Sequence, residues 1–201
     1  MTTHSGVHHR HRVGMVAATL LGAVTMLAAC RSGYGVQDSG RAEAATQESV
    51  RPLALGQPSP EEQEISRYGR TGTFIITPEK VVEGTQQDLQ QLGDDNTYAR
   101  QKIFWVYVNA KQVDGQAVTG PMVMANIGAE TATGDQATRL ILMGDLSSRP
   151  KDCASENPEA GWEQGVSRTW CAPYLSPAGA EVTKVTYFQG YYSEPLAWTV
   201  P

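Results

Sequence analysis

Residues 102–111 read Lys-Ile-Phe-Trp-Val-Tyr-Val-Asn-Ala-Lys, a run of β-branched and aromatic side chains without glycine or proline. At the period of a strand, Phe104, Val106, Val108 and Ala110 share one face, and Ile103, Trp105 and Tyr107 share the other. Both faces are apolar, which implies a strand covered on both sides and therefore central in a sheet. The Phe104 face is expected to point into the core. Trp105 and Tyr107 carry polar tips and tolerate a half-wet side.

Other short strands are expected around this one. Residues 73–77 open a strand, Pro78 suggests an edge or a bend, and Val81-Val82 resume it. Residues 86–97 read as a polar loop with Gly93-Asp94-Asp95-Asn96 turn chemistry, and Asp114-Gly115 as a turn. Residues 122–127 and 138–143 make two further strands, with Gly134-Asp135 between them. Residues 182–188 and 196–200 make the last pair, after a turn at 176–179. No segment of the domain shows a sustained helical period, and no internal repeat stands out. About seven short strands separated by turns predict an all-β fold, a two-layer antiparallel sandwich with a single core over residues 71–201.

The N-terminus is of a different kind. Arg10 and Arg12 precede an apolar run from Val13 to Ala29, interrupted only by Thr19 and Thr25. As a helix this run would span about 26 Å, short of a ~30 Å hydrocarbon core, so it fits a signal-peptide segment better than a permanent span. It closes on Leu27, Ala28, Ala29 and Cys30, which resembles the lipobox of bacterial lipoproteins. The resemblance implies a diacylglyceryl group on the Cys30 thiol and cleavage before it. Two acyl chains give stable membrane anchoring where one gives only marginal binding. No Arg-Arg pair is present, which favours the general secretory route.

Residues 30–70 are rich in Gly, Ser, Ala, Gln, Glu and Pro, and Tyr34 and Tyr68 are their only aromatics. Such a segment buries too little apolar surface to offset its ordering entropy. It is expected to be a flexible tether with a reach of roughly 35 Å.

Cleavage would change the chemical inventory. All four histidines (His4, His8, His9 and His11) lie in the leader, so the mature chain would have none. Ser-His-Asp and Cys-His nucleophile activation, and His-containing metal sites, would then be excluded. Two bases and no acid would leave, taking the formal charge of −5 to −7. No basic stripe remains to recognise nucleic acid. Cys153 and Cys171 are the cysteines left besides Cys30. In an oxidising compartment they are expected to form a disulfide worth roughly 3 kcal/mol. The alternative, a redox pair, has a spacing unlike Cys-x-x-Cys.

The domain resembles the DUF4352-type extracellular domains of bacterial lipoproteins. The resemblance is carried by Tyr107-Val108-Asn109, Gly144-Asp145, Cys153 with Cys171, Pro177-x-Gly179, residues 185–188 and Leu196-Ala197-Trp198. It implies an immunoglobulin-like β-sandwich and offers no catalytic residues or cofactor.

Candidate chemistry is sparse. Asp94, Asp95 and Asn96 are not followed by a calcium-loop pattern and read as a solvated turn. Asp145, Asp152, Glu156, Glu159 and Glu163 form an acidic stretch around the cysteine loop that reads as a solubilising surface, with a loop calcium site as the alternative. Tyr191 and Tyr192 in Gly-Tyr-Tyr-Ser-Glu cannot both be buried on a turn. They read first as strand-end tyrosines packing the rim, and with Trp162 or Trp170 as a candidate sugar- or protein-binding patch. The expected function is a non-enzymatic module on the extracytoplasmic face of the cell membrane, binding a protein partner in the envelope. A glycan- or small-ligand-binding lipoprotein is the alternative, and a carboxylate-based wall hydrolase is a further one.

Overall fold

The computed structural model describes residues 52–92, 98, 100–141, 144, 146–147, 149–190 and 193–201. Within them the strands are β1 (Leu53–Ala54), β2 (Gln63–Arg67), β3 (Arg70–Glu83), β4 (Lys102–Gly115), β5 (Val118–Thr119), β6 (Ile127–Thr131), β7 (Gln136–Arg139), β8 (Gly161–Trp162), β9 (Ser167–Ser176), β10 (Val182–Tyr187) and β11 (Leu196–Thr199). One short helix, α1 (Gln86–Gln91), follows β3, and single 3₁₀ turns occupy Val123–Asn126 and Pro177–Gly179.

Nine strands hydrogen-bond in the order β1-β11-β10-β6-β7-β9-β4-β3-β2, and β5 pairs with β8 separately. The nine-stranded sheet folds over at β7. Ala137 at its start pairs with Ala129 of β6, whereas Thr138 and Arg139 pair with Leu175 and Tyr174 of β9. Two layers result. In one, β3-β4-β9-β7 run in the A-B-E-D order of an immunoglobulin sheet. In the other, β6-β10-β11 run in the order C-F-G. The chain is thus an all-β sandwich whose seven principal strands follow that arrangement, with four short strands added.

β4 is central. It pairs along its length with β3 on one side and β9 on the other. Phe104, Val106, Val108 and Ala110 enter the main core, where they meet Ile127, Val185, Tyr187 and Trp198 from the facing layer. Each large apolar side chain fully buried there contributes roughly 1.5–3 kcal/mol. The opposite face is not half-wet. Trp105 and Tyr107 are each 2% exposed, because Leu89 of α1, Leu146 and the two cysteines build a second apolar cluster over them. Pro78 marks a bend as expected, since the β3–β4 register shifts between Pro78 and Lys80.

Three further expectations are corrected. First, residues 53–70, which composition assigns to the tether, belong to the sandwich. β1 pairs parallel with β11, Gly56 N–H donates to the Pro78 carbonyl (2.8 Å), Ser59 N–H donates to that of Ile76 (2.8 Å), and β2 pairs with β3. The segment therefore starts on the edge of one layer and ends on the edge of the other. Few apolar residues are needed for this. Ile65, 6% exposed, enters the core, and Leu53 and Leu55 pack against it. Buried Ser59 and Gln63 are held by hydrogen bonds, Ser59 Oγ accepting from Ile76 N–H at 3.2 Å.

Second, residues 123–126 form a 3₁₀ turn rather than a strand. The chain arrives through left-handed backbone at Gly120 (φ 51°) and Met122 (φ 56°). A Cβ on Gly120 would stand 1.9 Å from the Pro158 carbonyl oxygen, so only glycine allows that approach. Third, the polar loop after β3 contains α1, whose capping box uses Thr85 and Asp88. Its six residues are too few to display a helical period. Residues 93–97, and 142–143 of the expected 138–143 strand, lie outside the described residues.

Candidate functional site

Cys153 and Cys171 are joined in a disulfide, with Cα atoms 5.0 Å apart and each residue about 5% exposed or less. Cys171 sits on β9 opposite Tyr107. The bridge therefore holds the loop before β8 over the outer face of β4. Arg149 braces the same loop, donating through Nε (2.9 Å) and Nη2 (2.5 Å) to the Cys153 carbonyl and through Nη2 to Ser155 Oγ (2.7 Å). Asp152 accepts from Lys80 Nζ (2.7 Å) and from the Tyr107 hydroxyl (2.8 Å). Burial, reinforced by that carboxylate, pushes the Tyr107 hydroxyl up to about 12.

The tryptophans expected beside the tyrosine pair are not at the surface. Trp162 is 1% exposed and Trp170 is 8% exposed, and both lie in the main core. Trp162 stacks edge-on against Phe74 at 5.5 Å, with Arg168 over its ring. Its long apolar ring gains more from burial between the layers than from the rim. Tyr191 and Tyr192 lie outside the described residues, as do Leu27, Ala28, Ala29 and Cys30.

A cleft of about 270 Å³ opens instead where β7 leaves the sheet, between the 3₁₀ turn after Met122, β9 and the disulfide loop. Met122, Met124, Ile141, Trp105 and Pro173 supply an apolar wall, and Arg139, Arg149 and Glu156 supply charge. Arg139, the last residue of β7, donates through Nη1 to the Met124 carbonyl. Glu156 Oε2 accepts from Met124 N–H at 3.2 Å. One turn is thus held at both backbone groups by side chains of opposite charge. The other oxygen of Glu156, Oε1, is buried without a hydrogen-bond partner. Burial pushes the Glu156 carboxyl above the ordinary glutamate value, against the pull of the Met124 and Val123 N–H groups and of Arg139 and Arg67.

Met122 holds left-handed backbone at the cleft lip, a conformation that costs a non-glycine residue on the order of 1–2 kcal/mol. Two guanidinium groups beside an apolar wall suit a small organic anion with an apolar body. Among the described residues, Glu156 is the carboxylate that lines the cleft. Sequence reasoning placed Glu156 in an acidic stretch and missed Arg139. The Gly120-Pro121 pair before the methionines was the one local signal that the backbone turns there.

No family model matches the chain, and neither does any curated protein. Two solved structures resemble its fold, each described as a putative lipoprotein. One, from Staphylococcus aureus, is 8% identical with a TM-score of 0.44, the match covering 69% of this chain and 93% of that one. The other, ycdA from Bacillus subtilis, is 12% identical with a TM-score of 0.40, covering 70% of this chain and 37% of that one.

Proposed function

We propose that the chain is a lipid-anchored module on the extracytoplasmic face of the cell membrane, whose β-sandwich binds a protein partner in the envelope without catalysing a reaction. The observation that carries this reading is Leu27-Ala28-Ala29-Cys30 at the end of the apolar leader. The Cys153–Cys171 disulfide supports an oxidising compartment. The immunoglobulin-like strand order supports a β-sandwich module.

Fractionation of cells expressing the parent and Cys30→Ala tests the anchor. The parent is expected in the membrane fraction and the variant outside it. A variant that matures and pellets like the parent would end this reading. Cross-linking of the same two forms in intact cells tests the partner, which is expected with the anchored form. A second reading, a small-ligand-binding lipoprotein, is favoured by the cleft beside Arg139. Co-purifying small molecule without a protein partner would decide for it.

A further inference from the structure

The tip of the β2–β3 hairpin carries an arrangement that the sandwich does not need. Arg67 pairs with Arg70, leaving Tyr68 and Gly69 as a two-residue turn. Both central residues have positive φ, 51° and 73°, as a type I′ turn requires. Asn, Asp or Gly are the residues that suit the first of these positions. This chain places there a tyrosine that is 78% exposed. Arg67 stacks over the ring at 4.9 Å and donates to its hydroxyl at 3.1 Å.

The neck of the hairpin is tied. Ser66 Oγ and Thr71 Oγ1 are hydrogen-bonded at 2.7 Å, Thr71 N–H donates to Gln116 Oε1 (3.3 Å), and Gln116 N–H donates to the Thr71 carbonyl (2.8 Å). The aromatic is therefore presented on a stiff support, which lowers the ordering cost of docking. Neither Arg67 nor Arg70 is in an ion pair among the described residues, although the chain is acidic overall. An exposed tyrosine braced by Arg67 and followed by the exposed Arg70 has the composition of an interface hot spot.

We propose that this tip is the docking point of the domain, with Tyr68 entering an apolar socket on a partner protein and Arg67 and Arg70 meeting carboxylates around it. The proposal deepens the protein-partner reading above and rests on it.

The test places a photoreactive phenylalanine analogue at position 68 of the full chain in cells, with position 82, at the far end of β3, as the control site. The expected result is one acidic protein trapped at 68 and not at 82. Its affinity for the purified full chain falls about tenfold or more in Tyr68→Asn and in the Arg67→Gln/Arg70→Gln pair. Tyr68→Asn restores the preferred turn residue, so its melting temperature equals or exceeds that of the parent. A loss of binding with no loss of stability separates docking from folding.

A protein trapped at 82 but not at 68 overturns the tip and leaves the partner reading standing. Lipid or glycan trapped at 68 overturns the choice of a protein. A Tyr68→Asn chain that binds the trapped protein like the parent overturns the proposal, and so does the absence of an adduct at 68, while the partner reading stands or falls by the cross-linking of the anchored chain.

Discussion

Glu156 shows how one side chain connects burial, charge and pH. Its carboxylate holds the Met124 N–H, yet its second oxygen is buried unpartnered, and burial raises its proton affinity in the fold. A carboxyl group with a raised folded-state value contributes most to stability below its unfolded value. That contribution is lost as pH rises through the folded value. Glu156→Gln removes the charge and keeps an acceptor for Met124. The variant is expected to match the parent below about pH 4.5, the unperturbed value, and to exceed it above that. At neutral pH the gain should be about 1 kcal/mol, or roughly 2–4 °C in a thermal melt. Melts across this range that remain parallel would show that the carboxylate is not strained by burial. None of this is readable from Ser-Glu-Asn-Pro in the sequence, because the Met124 N–H that the carboxylate holds lies 32 positions away.

At the scale of elements, the disulfide loop gives β4 its second covered face. Apolarity on both faces of residues 102–111 announced a central strand, and the pairing with β3 and β9 bears that out. The sequence did not reveal what covers the Trp105 face, because Leu89 comes from the short helix α1, and Leu146 and Cys153 come from the long connection between β7 and β8. Opening the bridge should therefore do more than lengthen a loop. Cys153→Ser with Cys171→Ser is expected to lower stability by about 3 kcal/mol, or roughly 6–12 °C in melting temperature. Tryptophan emission should shift to the red as Trp105 gains water. An unchanged melt and an unchanged spectrum would mean that the loop stays in place without its covalent tie.

The sandwich is closed at two corners by different devices. At one, β7 divides its hydrogen bonds between the layers. At the other, residues 53–67 run from the edge of β11 to the edge of β3. This strap covers strand edges that would otherwise offer unpaired backbone groups. A chain beginning at residue 71 is expected to lose about 4 kcal/mol or more relative to one beginning at residue 52, and to aggregate on warming. Denaturant unfolding of the two forms measures it. Equal midpoints would return residues 53–70 to the tether.

Local pattern by itself determined that this is a β protein, which strand is central, which face of that strand meets the main core, and that Cys153 and Cys171 would be partners. Each of these follows from side-chain alternation along one segment or from the scarcity of cysteine. The tertiary structure alone decided that a polar-looking N-terminal segment joins the sheet, that Trp162 is core and not surface, and that Arg139 and Glu156 share a cleft. Those outcomes depend on pairings between residues distant in the chain. A strap strand needs few apolar residues when its backbone is satisfied by a neighbour, and a tryptophan goes wherever the facing layer leaves room for it.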